Sequence, residues 1–423
     1  MGRIVQKYGG SSVADAESIK RVARRIAHTR RKGNEVIVVI SAMGDTTDEL
    51  MDLALQVSPF PKQRELDMLI TTGERQSAAL LAMALADIGV DAVSYTGSQA
   101  GVLTTPVHGN ARIIDITPGR VEKALEEGKV AIVAGFQGVA QTTKDVTTLG
   151  RGASDTTAVA LAAALKADNC EIYSDVDGVY TADPRIVPSA RHIKRIGYED
   201  MMEMAASGAK ILHLRCVEYA RRENVRVHVR SSFTDKEGTW VVPQEELEGT
   251  DMEEAIITGV AHDRGEAKIT VVGVPDRVGN AAAIFRAVAE SEINIDMVVQ
   301  NVSDLSVERT DISFTLPAAS GRKAIDAIDR VKEEVGFETI RYDDQIGKVS
   351  IVGVGMRSHP GVTATFFDAL AKAKVNLQMI STSEIRISVI VGADKVDDAV
   401  RAAHTAFDLD AEDDATVYAG TGR

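Results

Sequence analysis

The chain has 423 residues, more than the roughly 250–300 at which a single hydrophobic core stops growing, so at least two domains are expected. Its 44% hydrophobic and 26% charged content is that of an ordinary globular protein, and no apolar run approaches the roughly 20 residues of a membrane-spanning helix. Lys and Arg total 48 against 62 Asp and Glu, a formal charge of −14, which argues against nucleic acid or an anionic membrane as partner.

In chain order, the first 230 or so residues alternate strand-like runs with helical patterns. Strands are expected at Ile4–Tyr8, Glu35–Ser41, Ala92–Tyr95, Val130–Phe136, Glu171–Ser174 and Val225–Val229. The first run leaves no room for a signal-peptide h-region. Between the strands, Val13, Ala16, Ile19, Val22 and Ile26 recur at helical spacing and predict one buried face over Val13–Ile26. Leu66–Ile88 and the Ala-rich Asp155–Lys166 are further helical stretches. Such alternation predicts a mostly parallel sheet covered on both faces. Cys170 and Cys216 form no CxxC pair and read as reduced, buried thiols, which makes the cytoplasm the plain expectation.

Residues 234–254 lose periodicity and collect Asp, Glu, Gly and Pro, predicting a linker after a first domain at 1–233. Beyond it the sequence repeats. Ile269-Thr270-Val271-Val272-Gly273-Val274 matches Val349-Ser350-Ile351-Val352-Gly353-Val354. Gly279, Phe285, Asn294 and Met297 match Gly361, Phe367, Asn376 and Met379 at one constant spacing. Each copy reads as a ferredoxin-like βαββαβ module, expected at 255–345 and 346–423, and two such modules can share one continuous sheet.

Four segments look chemical. Lys7-Tyr8-Gly9-Gly10-Ser11-Ser12 leads from a strand into a helix; glycines admit close approach of an anion, a helix start offers free amides, and Lys7 adds a point charge. A glycine pair can also merely turn the chain, and the absence of GxxxxGK[ST] excludes a Walker-type site. The Thr147–Thr157 segment repeats the device, with Arg151 suited to a carboxylate or phosphate, and Asp155 able to cap a helix or to orient a metal or a lysine. The Ser174–Arg185 segment is either a solvated loop or a ligand loop at a strand's C-terminal end. In Thr72-Gly73-Glu74-Arg75, Glu74 can cap a helix or bind a substrate ammonium. No histidine stands at metal-ligand spacing, so no dedicated metal cage is expected.

Together these segments resemble the amino-acid kinase family, and within it the aspartokinases. KYGGSS at the N-terminus, SAMGDTTDEL at Ser41–Leu50, TGER at Thr72–Arg75, TLGRGASDTTA at Thr148–Ala158 and YSDVDGVYTADPR at Tyr173–Arg185 stand where that family has them. The C-terminal repeats resemble tandem ACT modules of the actinobacterial, lysine- and threonine-regulated type. The resemblance implies an α/β amino-acid kinase fold followed by two ACT domains, ATP as donor, Mg²⁺ carried mainly on ATP oxygens, and L-aspartate as acceptor. It also implies lysine and/or threonine as effectors and a homo-oligomer formed through the ACT modules. Met252 either starts a separate small regulatory chain, as in some relatives, or is incidental.

Residue by residue, the resemblance assigns catalysis to Lys7, Arg151 and Asp155. It places Lys7, Gly9, Gly10, Ser11, Ser174, Asp175, Tyr180, Arg185 and Lys210 on ATP. Ser41, Thr47, Glu74, Arg151 and Ser154 fall to aspartate, with Arg151 on its α-carboxylate and Glu74 on its α-ammonium. Asp276, Gly279, Ala281, Asn294, Asp296 and Gln300 make one half of an effector site. Val362, Thr363, Asn376, Leu377, Ser383 and Glu384 make the other, contributed by a facing repeat. A catalytically impaired amino-acid sensor and a paralogue in a specialised pathway are the alternatives. One departure stands out: Ala153 replaces a glycine usual in the family, and if that position needs φ > 0, alanine costs about 1 kcal/mol.

Overall fold

The computed structural model describes residues 2–150, 152–247, 256–304 and 309–419. The chain forms two compact units, one of Met1–Ala206, Lys210–Met252 and Ala411–Arg423, the other of Ser207–Ala209 and Glu253–Asp410.

Eight strands build the main sheet of the first unit: β1 (Arg3–Tyr8), β2 (Glu35–Ile40), β3 (Ala92–Tyr95), β4 (Val130–Ala134), β5 (Asn169–Ser174), β6 (Arg195–Gly197), β7 (Val227–Ser231) and β8 (Thr239–Val242). Their order is β6-β8-β7-β5-β1-β2-β4-β3, parallel throughout except between β7 and β8. Val36–Ile40 and Val130–Ala134 are fully buried along their length. Continuous Val/Ile/Ala runs of this kind require cover on both faces. The helices that supply it or flank it are α1 (Ala16–Arg31), α2 (Thr46–Val57), α3 (Gln63–Ile70), α4 (Thr72–Asp87), α5 (Gly119–Glu126), α6 (Ala153–Ala164), α7 (Tyr198–Ala206) and α8 (Leu214–Glu223). Ile19, Val22 and Ile26 of α1 and Leu81 and Leu85 of α4 pack on Val36, Val38, Ile40 and Ile132. On the other face α6 crosses β1, β2 and β5 and packs on α8.

All six strands expected from the sequence are present to within two residues at either end. The helices differ more. The Gly10–Val13 segment is a 3-10 turn, and α1 begins only at Ala16, where the Asp15 carboxylate accepts from the Ser18 amide at 2.7 Å. The Leu66–Ile88 stretch is two helices joined at Thr71. The expected linker contains β8, a four-residue Thr-Trp-Val-Val strand hidden among the Asp, Glu, Gly and Pro residues around it. A second sheet, of Val102–Thr104, Ile113–Ile116, Gln137–Ala140 and Val146–Thr148, was likewise not expected from the sequence.

In the second unit the first repeat is a complete ferredoxin-like module. Strands Glu266–Pro275, Val298–Asp304, Arg309–Pro317 and Thr339–Asp343 form one antiparallel sheet with α9 (Asn280–Glu290), α10 (Gly321–Asp329) and the short α11 (Lys332–Val335). The second repeat supplies Ile346–Val352, Met379–Thr382 and Arg386–Gly392 with α12 (Val362–Lys372) and α13 (Val396–Ala406). Its fourth strand is not downstream, as expected, but is Gly259–Asp263, paired antiparallel to Ile346–Val352. The first module is therefore nested inside the second, and the residues from Ala411 belong to the first unit. The modules keep separate four-stranded sheets and meet through Met297, Val299, Ile346, Met379 and Ile390. The repeat extends to backbone detail: Gly279 and Gly361, preceding α9 and α12, have φ of 103° and 101°. No helix among the described residues is long and apolar enough to cross a membrane.

Candidate active site

The parallel strands end in register. Tyr8 lies beside Ile40 on one side and Tyr173 on the other, and Ile40 beside Ala134. The C-terminal edge of such a sheet is its usual ligand side. Lys7, the penultimate residue of β1, points its Nζ to within 2.6 Å of Asp155 Oδ1, and the two side chains are only 13% and 10% exposed. Of the roles open to Asp155, orienting a lysine is the one observed. Because Asp155 is the third residue of α6, the pair places a cation where the helix amides already favour negative charge.

The Gly9–Gly10 turn lies against the loop after β2. Gly10 O accepts from the Gly44 amide at 3.2 Å, and a Cβ on Gly10 would lie 2.9 Å from Gly44 O, so the approach demands glycine. Ser11 follows in the 3-10 turn, and the fully buried Ser12 hydroxyl has no hydrogen-bond partner among the described residues. Ser41 donates its amide to Tyr8 O at 3.0 Å. Glu74, third in α4, is 3% exposed, and its Oε2 has no hydrogen-bond partner among the described residues. Burial pushes its carboxyl up to about 7, against the weaker pull of its own amide, the Ala42 amide and Arg75. Thr47 and Ser154 sit in the second positions of α2 and α6. Lys7, Gly9, Gly10, Ser41 and Asp155 thus lie at one edge of the sheet, and the Ala42 amide, next after Ser41, reaches Glu74.

Arg151 lies outside the described residues, but its neighbours are informative. Gly150 and Gly152 are the left-handed residues, with φ of 89° and 72°. Ala153 is not left-handed: it opens α6, buried against Leu66, Ile70, Phe136 and Leu149. The strain expected of alanine there does not arise.

Three residues of this region carried no signal in the sequence. Asp67 is fully buried and accepts from Thr148 Oγ1 at 2.7 Å, Thr148 N at 3.2 Å and Gly109 N at 3.1 Å, with His108 Nδ1 at 2.9 Å. Arg215 donates to Leu149 O at 2.8 Å and to Ala111 O at 3.1 Å. Together they fix the strand end that runs into Gly150. His213 abuts Gly152, where a Cβ would come 2.8 Å from its Cδ2. Burial holds the His213 imidazole below its ordinary range despite nearby Asp155.

Beside β1, the Ser174–Arg185 loop is held by its own side chains. Ser174 Oγ donates to Asp175 Oδ1 at 3.1 Å, Arg185 Nη2 lies 3.0 Å from Asp175 Oδ2, and Tyr180 meets His192 edge-on at 5.4 Å. Lys210 is exposed in the turn between α7 and α8; among the described residues no hydrogen bond or ion pair joins it to this loop.

The profile of the amino acid kinase family matches residues 2–231, and that of the ACT domain matches residues 269–331 and 349–407. The aspartokinase of Mycolicibacterium smegmatis is 63% identical over 423 residues, covering 100% of both chains. The chain belongs to the aspartokinase family. E. coli aspartokinase III in complex with aspartate and ADP shares the fold, with a TM-score of 0.81 at 24% identity over 95% of this chain and 99% of that one. The same enzyme with lysine and aspartate gives 0.68 at 24% identity over 95% and 98%. A kinase of this family uses ATP.

In this aspartokinase the residues expected at an effector site separate into groups. Asp276, Gly279 and Ala281 surround the start of α9, while Asn294, Asp296 and Gln300 lie toward the next strand. Val362, Thr363, Ser383 and Glu384 line one cavity of about 450 Å³ with Arg357, whose Nη2 is 3.1 Å from Glu384 Oε2. Asn376 and Leu377 are outside that lining. They precede Gln378, which accepts a hydrogen bond from Lys268 of the first module. Asp296 is already engaged: the buried Lys348 ammonium lies 2.7 Å from it and 2.5 Å from Glu266, and Arg386 is at 3.8 Å.

Proposed function

We propose that this enzyme transfers the terminal phosphoryl group of ATP to the side-chain carboxylate of L-aspartate. The product is 4-phospho-L-aspartate, the entry to lysine, threonine and methionine synthesis. The observation that carries this reading is the Lys7–Asp155 pair at 2.6 Å, set where the Gly9–Gly10 turn and the start of α6 meet.

A carboxylate is already a nucleophile, so no proton has to be removed. Its oxygen forms the new bond to phosphorus while the bond to the ADP oxygen breaks in line. Catalysis is then positioning plus neutralisation of charge on the moving group. Lys7, fixed by Asp155, and the amides of Gly9, Gly10 and Ser11 serve that charge, and the Ser12 hydroxyl, without a partner among the described residues, fits the same polyphosphate. Mg²⁺ would be held largely by phosphate oxygens and water and would screen the charge of the phosphates. Ser174, Asp175, Tyr180, Arg185 and Lys210 border the nucleotide. Glu74 receives the α-ammonium and Arg151 the α-carboxylate, with Ser41, Thr47 and Ser154 alongside.

The ACT modules are read as the sensor of lysine and/or threonine. Their nested pair, and the lysine complex of the E. coli enzyme, support this reading. Assembly through these modules and a cytoplasmic location belong to the same reading. An ADP-release assay with aspartate, glutamate and N-acetylglutamate, each with and without lysine plus threonine, tests the whole. Aspartate alone should support turnover, and the two amino acids should suppress it. Absence of aspartate-dependent ADP release would reject it.

A further inference from the structure

The C-terminal residues leave the regulatory unit and return to the first one. Their backbone docks there on the Ser174–Ser189 loop. The Ala411 amide donates to Ser189 O at 2.7 Å, the Ala415 amide to Pro188 O at 2.7 Å, and the Tyr418 amide to Asp175 O at 2.9 Å. Val417 forms an antiparallel bridge with Val176. Side chains follow the backbone: Ala411, Ala415, Val417 and Tyr418 are half-buried, whereas Glu412, Asp413, Asp414 and Thr416 are exposed.

Tyr418 closes the contact. Its hydroxyl donates to Asp177 Oδ2 at 3.0 Å, and its ring stacks on Phe233 at 5.8 Å with 13° between planes. Phe233 in turn lies under the Arg21 guanidinium of α1 at 4.4 Å. Asp177 is 3% exposed and also accepts from Thr234 Oγ1 at 2.6 Å and Lys236 Nζ at 2.9 Å. The tail therefore fixes the backbone of Asp175, whose carboxylate holds Arg185, and it completes the donor set of Asp177.

We propose that residues 411–418 form a strap across the nucleotide loop, with Tyr418 a positioning residue that holds Asp175 and Asp177 in their binding arrangement. The proposal rests on the phosphoryl-transfer reading of that loop. It also supplies a route for regulation. Four residues, Phe407–Asp410, lie between the end of α13 and the first hydrogen bond of the strap. Four residues reach at most about 14 Å when fully extended. The Asp408 and Leu409 amides bond back to Thr405 O and His404 O of α13, and Asp410 lies 3.3 Å from His404, so this short tether ties the strap to the second ACT module and a binding event there becomes a loss of nucleotide affinity through the chain itself. The acting principle is differential affinity of the effector for strapped and unstrapped states.

The test uses the full chain, Tyr418→Phe, and a chain ending at Asp410. ADP affinity is measured by calorimetry, and KM for ATP and for aspartate are determined separately, with and without lysine plus threonine. Tyr418→Phe keeps the stack and loses one hydrogen bond to a charged acceptor, so ADP affinity should fall and KM for ATP rise by about five- to tenfold. KM for aspartate should stay within about twofold of wild type. The shortened chain should lose more ADP affinity and lose inhibition, while the effectors still raise its thermal midpoint. ADP affinity and inhibition unchanged in both variants would overturn the strap. So would equal changes in both KM values, which mark general loosening. If the shortened chain does not fold, Tyr418→Phe decides alone. A wild type that binds ADP but does not turn over aspartate sinks the phosphoryl-transfer reading instead, and leaves the ADP-affinity comparison standing.

Discussion

Replacing Glu74 by Gln should make the protein more stable and the enzyme worse. Its carboxyl is buried at 3% exposure and pushed up to about 7 from an ordinary 4.5. That difference corresponds to about 3 kcal/mol. The sign follows from which state holds the proton. Below about pH 4.5 the group is protonated folded and unfolded, and burial costs nothing through ionisation. Between 4.5 and 7 the folded state keeps a proton that the unfolded state releases, so stability falls as pH rises. Above 7 the full penalty is present. Glu74→Gln carries no such penalty. Its stability advantage should be close to zero at pH 4.5 and approach about 3 kcal/mol at pH 8. The single tryptophan, Trp240 in β8, reports unfolding of this unit by fluorescence, so denaturant midpoints at the two pH values give the difference directly. In the same variant KM for aspartate should rise about 100-fold, because the charged partner proposed for the α-ammonium is gone. In wild type that KM should drop as pH rises from 6 and level off above 7. A stability difference of the same size at pH 4.5 and pH 8 would refute the reasoning, since the cost would then lie in packing and not in ionisation.

Lys7→Ala, which strands Asp155 without its cation, should lower kcat by about 10²–10³-fold and leave KM for aspartate within a few-fold, as steady-state kinetics can show. Gly152→Ala must hold φ near 72° and place a Cβ 2.8 Å from His213, so it should cost about 2 kcal/mol or more and most of the activity. Ala153→Gly should leave kcat nearly intact and lower stability by about 1 kcal/mol in thermal unfolding, the reverse of what a strained alanine would give. Burial works to lower the Lys348 pKa, but Glu266 and Asp296 outweigh it and hold it above the ordinary value. The stability it gives is therefore fully present below its unfolded pKa, about 10.5, and lost as pH rises through the folded one. Lys348→Met should destabilise the regulatory unit by about 3 kcal/mol at pH 7, and calorimetry should show the deficit shrinking above pH 10.5.

What the sequence disclosed and what it hid divide along contact distance. The six expected strands, the buried stripe of α1 and the module repeat are written in apolar runs, in a period of 3.6 residues and at a fixed spacing, which a single pass can read. The glycine turns announced themselves because their chemistry is local. Asp67 was silent because its partners stand 41 and 81 residues away, and an isolated aspartate in a helix looks like surface. His213 and Arg215 act on Gly152 and Leu149 across the fold for the same reason. Whether position 153 needs a left-handed residue is not written locally: the turn takes its left-handed residue at Gly152, one step before the helix. The strand that completes the second ACT sheet was missed because a βαββαβ pattern sets the last strand after the second helix, and nothing local says that an edge will be filled from upstream.

That upstream strand sets where a free-standing regulatory fragment can begin. Translation from Met252, a residue outside the described segments, would include Gly259–Asp263 and so yield two closed modules. A fragment opening at Gly265 would leave Ile346–Val352 as a bare border with a row of unsatisfied amides and carbonyls, a surface that recruits other chains. An internal start codon seven residues ahead of the strand is compatible with a soluble product, whereas a start a dozen residues later would yield one prone to clump.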